Sequence, residues 1–158
     1  MSRGYRARWA SVRVQSSVTV SEGCSLQVAL LDILSPAEMT ALLRQELRAG
    51  GWHDAEQGAL ERTLPGVRAR LQPAGDKIEL TADQTRTVHA AGTTREAAQD
   101  ALNQLQQKTE RQLHSGVLES LIAAETEVRA SLEDVLSRVY LEALKRKAQS
   151  LGHLESVV

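Results

Sequence analysis

"VLESLIAAETEVRASLEDVLSRVYLEA" (residues 117–143) is the stretch whose reading decides the fold. Val117, Leu121, Ala124, Val128, Leu132, Val135, Val139 and Ala143 step by three and four. That spacing lines one face of an α-helix, because 3.6 residues make a turn. The intervening positions are mostly charged or small. Glu125 with Arg129, and Glu142 with Arg146, stand in the favourable i,i+4 order for ion pairs on a solvated face.

The helical signal extends upstream. Thr93 with Glu96 predicts a capping box at its start. From there to Leu151 the chain has no proline and one glycine, Gly116. A helix from Thr93 to Leu151 would be roughly 88 Å long. A single globule of this chain length is only about 40 Å across. The expectation is therefore a break near "HSGV" (114–117), giving a helical hairpin, with a projecting arm as the alternative. A glycine costs a helix interior only about 1 kcal/mol, so the arm stays open. An arm would need a partner. Leu121, Val128 and Val135, with Leu132 and Val139 four residues after the last two, form a short heptad seam, weakened by Glu125 four residues after the first.

The region before Thr93 has a different period. "YRARWASVRV" (5–14) alternates, as does "CSLQVALLDIL" (24–34), with polar "QSS" and "SEG" between them. Two strands are predicted, with Val18–Val20 either lengthening one or lying in the connection. "SPAEMTALLRQELRAGGW" (35–52) predicts a helix. Ser35 is a natural N-cap, Pro36 suits the first turn, and Glu38 can close a capping box. Met39, Leu42, Leu43 and Leu47 form its apolar stripe, and Gly50–Gly51 stop it. "ALERTLPGVRARLQ", "DKIELTAD" and "TRTVHAAG" then read as two or three antiparallel strands with a turn at Pro65–Gly66.

The predicted order is β-β-α-β-β-(β)-α-α. Strands segregated from a helical block indicate an α+β fold with helices on one face of an antiparallel sheet. The expected organisation is a sheet domain over 1–92, a helical region over 93–151 broken near Gly116, and a terminal strand or tail over 152–158. After Gly152, "HLESVV" alternates, so a short closing strand is expected.

Composition narrows the function. Apolar residues are 42% and charged residues 25%, the balance of a soluble folded chain. The formal net charge is −1, so no global field recruits nucleic acid or anionic lipid. No run of about 18 apolar residues exists to span a membrane. The N-terminus lacks a secretory h-region, and the one cysteine, Cys24, cannot form an internal disulfide. A cytoplasmic setting is the expectation.

No phosphate-binding, dinucleotide-binding, zinc-protease or nucleophile-elbow motif occurs. His53, His89, His114 and His153 are all more than four residues apart, and no metal or cofactor is expected. Cys24 reads as a small apolar residue and not as a nucleophile, because no base or orienting group lies nearby in sequence. The expectation is a protein without enzymatic activity and without catalytic residues.

The candidate contact residues lie at the carboxyl end: Tyr140, Lys145, Arg146, Lys147, Leu154, Val157 and Val158. A basic turn followed by a Val-rich strand could pair with another chain's sheet. The alternative is a small-ligand or anion-binding domain using a sheet face near Arg6, Arg8, Trp9 and Trp52.

Two stretches carry a resemblance. "SRGYRARWASVRV" and the helix "SPAEMTALLRQELRAGGW" resemble small accessory domains of bacterial ternary systems. Those systems pair an FtsH-like or MoxR-like AAA+ ATPase with a von Willebrand factor A protein. The ending "VYLEALKRKAQSLGHLESVV" is also similar to the helix-then-strand terminus of a small family of cyanobacteria and algal plastids. Together the stretches cover under half the chain and transfer no functional residue. The first resemblance implies a non-enzymatic adaptor of an ATPase-linked assembly, in conflict or defence. It also implies a protein partner, an AAA+ ATPase or a von Willebrand factor A protein; homo-oligomerisation stays open.

Overall fold

The computed structural model describes residues 12–157, with the side chains of 153–157 excepted. The elements are β1 (Val12–Gln27), α1 (Pro36–Ala49), β2 (His53–Asp54), β3 (Leu60–Leu64), β4 (Val67–Leu71), β5 (Lys77–Gly92) and α2 (Arg95–Val157). The strands form one five-stranded sheet in the order β1-β5-β4-β3-β2. The β2–β3, β3–β4 and β4–β5 pairs are antiparallel. The α+β class predicted from the period change holds.

Contacts divide the chain into two units. One holds the described residues up to Glu22 with Ala82–Glu119; the other holds Gly23–Thr81 and the chain from Ser120 onward.

In the first unit, the opening half of β1 and the closing half of β5 carry the early part of α2. Val18, Val20, Ala82, Val88, Ala98, Leu102, Leu113 and Val117 are buried. "QSS" and "SEG", read as interruptions, lie inside one 16-residue strand. Period two runs through them: Val12, Val14, Ser16, Val18, Val20 and Glu22 share a face. The polar members of that face have polar partners on the helix. Gln106 donates to Ser16 Oγ, and Glu22 Oε1 lies 3.1 Å from His114 Nε2. Residues 5–11 of the predicted first strand lie outside the described residues.

In the second unit, a hairpin joins β3 to β4 through Pro65–Gly66, with Leu64 paired to Val67. Gly66 has φ +71°, the left-handed backbone that the second central position of a type II turn demands. Leu60, Leu64, Val67, Ala69, Leu71, Ile78 and Leu80 are buried and supply the sheet's share of the core. The other face is polar: Glu61, Arg70 and Glu79 stand opposite one another across three strands. Arg70 pairs with Glu61 at 3.2 Å.

The helix α1 is built as predicted. Ser35 Oγ accepts from the Glu38 N–H at 3.3 Å and donates to its carboxylate at 2.9 Å. Met39, Leu42, Leu43 and Leu47 are buried. Burying four such side chains contributes roughly 6–12 kcal/mol of gross hydrophobic stabilisation. Arg138 of α2 reaches Glu46 of α1 at 3.1 Å, which sets the two helices side by side. Arg62 of β3 reaches Glu127 of α2 at 2.7 Å.

Four sequence expectations are corrected. The predicted strand 24–34 ends at Gln27, because β5 begins only at Lys77 and leaves nothing further to pair with; the Val28 N–H makes a last bond to Asp76 O at 2.8 Å. "VRV" (12–14) and "CSLQ" (24–27), placed in two predicted strands, belong to one, β1. The helix start is capped by Thr94, not Thr93: Thr94 Oγ1 accepts from the Ala97 N–H at 3.1 Å. Gly92 just before it lets the chain pass close, since a Cβ there would sit 2.5 Å from Ala98 N.

The fourth correction concerns α2. It is one uninterrupted helix through Gly116, with neither the expected hairpin nor the expected closing strand, because 152–157 stay helical. The expected break assumed one compact core; instead each unit buries its own part of the stripe. A terminal strand would also need an edge to pair with, since an isolated strand satisfies no backbone groups. Lys145–Lys147 consequently lie well before the helix end, and its last turn has no basic residue.

Candidate functional site

The buried stripe of α2 is the one read from sequence. Leu121, Ala124, Val128, Leu132, Val135, Val139 and Ala143 are buried in the second unit. The residues proposed as a heptad seam are therefore core. Beyond Ala143 the helix is uncovered by described residues: positions 144–152 are all exposed.

Tyr140 marks the transition. It is half-buried, and its hydroxyl donates to the Ala29 carbonyl at 3.3 Å. That bond ties α2 to the segment that follows β1. After it, Leu141, Leu144 and Leu151 are each 55% exposed. At 100° per residue they fall with Ala148 on one narrow stripe, roughly 140° around the helix from the buried stripe. Arg146 is paired with Glu142 at 3.4 Å. Lys145 and Lys147 are exposed, and no ion pair holds them among the described residues.

Three of the predicted contact residues, Lys145, Arg146 and Lys147, thus sit together on an open surface. Leu154 and Val157 are in the helical backbone, and Val158 lies outside the described residues. Sequence reasoning missed Leu141, Leu144 and Leu151. Their spacing is a readable signal on a different face from the core stripe, but spacing alone does not say whether another element covers that face.

Of the alternative patch, only Trp52 falls among the described residues. Trp52, just past α1, is only 5% exposed, and its backbone N–H donates to the Leu47 carbonyl at 3.0 Å. It is a core residue and not part of an open sheet face. Arg6, Arg8 and Trp9 lie outside the described residues.

The first unit carries an open groove of about 1020 Å³ between β1 and α2. Glu22, Gln107, Glu110, Arg111, His114 and Leu118 are among its walls. Opposite charges face each other there, so it favours no ligand of one sign. Sequence gave no signal for it, because it exists only where the strand edge meets the helix.

Cys24 lies half-buried on the helix-facing side of β1. Burial pushes its thiol up, the Glu125 carboxylate adds to that, and Arg129 opposes it. A thiol so held is mostly protonated at neutral pH and a poor nucleophile. Among the described residues no group of three or more His, Cys, Asp or Glu side chains is placed to hold a metal ion. No helix among them is long and apolar enough to cross a membrane.

The fold and its open surfaces define an α+β domain whose long helix α2 no described residue covers beyond Ala143. The chain belongs to the family described as FtsH ternary system domain X5 (fvmX5), whose model it matches over residues 1–158. No curated protein and no solved structure matches it.

Proposed function

We propose that this domain is a non-enzymatic adaptor of its FtsH ternary system, and that it engages a protein partner through the exposed part of α2. One observation carries the reading. Three leucines on one helical stripe stay in water while the same helix buries every stripe residue from Val117 to Val139. Exposed leucines in a row have no role in the monomer's core, and contiguous apolar exposure marks interaction surfaces. Membership of a ternary system supports the existence of partners. By the resemblance of its N-terminal third, the partner is an AAA+ ATPase or a von Willebrand factor A protein.

The test is reconstitution of the chain with the ATPase and von Willebrand factor A proteins of its system. Leu144→Glu/Leu151→Glu should leave the domain folded and abolish its incorporation. Full incorporation of the folded double variant would end the reading.

A further inference from the structure

We propose that the occupant of the α2 stripe is an amphipathic helix of the partner, with an apolar seam flanked by Glu and Asp. This inference rests on the adaptor reading and gives its contact a chemistry.

The spacing defines the seam. Leu141, Leu144, Ala148 and Leu151 occupy a, d, a and d of consecutive heptads. All four are exposed, on a face turned away from the buried stripe. Upstream the pattern stops: Ser137 and Asp134 fall at the preceding d and a. A two-position repeat of this kind takes helical knobs, which is the narrow geometry of helix-on-helix pairing.

The flanks define the occupant. In this register Lys145 is at e and Lys147 at g, the positions that line a seam and choose its partner. Both are exposed and outside the ion pairs among the described residues, while Arg146 at the outward f position is already held by Glu142. The seam is therefore bordered by two ammonium groups that no carboxylate pairs among the described residues.

Charge argues against a second copy of this chain. Two copies would bring four ammonium groups alongside one short seam, with no carboxylate at its e and g positions to answer them. A helix carrying carboxylates at its own e and g positions complements them.

A membrane surface fits less well. Helices that lie in the interface present a broad apolar face with Trp or Phe. This stripe is narrow, includes Ala148 and has no aromatic residue within it.

The experiment uses the full chain and two synthetic helical peptides with leucine at a and d. One carries Glu at e and g, the other Lys. Fluorescence anisotropy should show binding of the Glu peptide, weakening as salt rises. Lys145→Glu/Lys147→Glu should lower that affinity at least about tenfold and create binding to the Lys peptide. Circular dichroism of this surface variant checks that it stays folded. Equal binding of both peptides, or of neither, overturns the proposal. So does self-association of the chain through the stripe, or its sedimentation with mixed phosphatidylserine–phosphatidylcholine vesicles with no peptide binding. The two readings fail separately: if the leucine variant is excluded from the assembly but the charge reversal enters it normally, the surface is right and the acidic occupant wrong, whereas normal entry of the folded leucine variant ends the adaptor reading itself.

Discussion

The Tyr140 hydroxyl donates to the Ala29 carbonyl at 3.3 Å, and the next residue along the helix, Leu141, is 55% exposed. The described fold's hold on α2 thus loosens within one turn. Up to Tyr140 the helix is tied by Arg62–Glu127, Arg138–Glu46 and the tyrosine itself. Beyond Ala143 no described residue covers it.

Tyr140→Phe should therefore cost stability and not partner binding. Loss of one partly exposed hydrogen bond is expected to cost about 0.5–1.5 kcal/mol. Urea unfolding measures the first effect and reconstitution of the assembly the second. Unchanged stability with lost binding would make Tyr140 a contact residue after all.

The unbroken helix makes opposite forecasts for two glycines. At Gly116 a Cβ would meet only Gln84 Oε1, at an ordinary 3.6 Å, within a helix interior. Gly116→Ala should stabilise the protein by up to about 1 kcal/mol. At Gly92 a Cβ would be forced against backbone, so Gly92→Ala should destabilise it by about 1–3 kcal/mol. Thermal melts of both variants check this. Destabilisation by Gly116→Ala would show that the helix turns a corner there.

Cys24 should be slow to react. Its raised thiol pKa means the folded state holds a proton that the unfolded chain releases earlier. The stability linked to that proton is present below the unfolded thiol pKa and is lost as pH rises through the folded one. Alkylation of the native protein should accelerate only above the ordinary thiol range. Glu125→Gln should shift that onset down, and Arg129→Gln should shift it up. Reaction at neutral pH as fast as a free thiol would contradict the assigned burial.

Much of the fold was legible in local chemistry. The Ser35–Glu38 cap, the α1 stripe, the Pro65–Gly66 turn and the α2 stripe each depend on residues within a few positions of one another. What was not legible depended on distant partners. Ser16 and Glu22 looked like strand breakers until Gln106 and His114 answered them from the helix. The end of β1 is set by where β5 starts, and the fate of Gly116 by the presence of two cores. The site was half legible: Lys145–Lys147 stood out as a charge run. Leu141, Leu144 and Leu151 were missed, since periodicity reports that a face is apolar and not what covers it.

Hydrogen exchange of the chain, alone and within the reconstituted assembly, tests the exposed stripe most directly. Amides of residues 141–151 should exchange quickly in the free chain and become protected on assembly. Protection confined to other segments, such as the β1 groove around Thr19–Glu22, with 141–151 unchanged, would contradict the account.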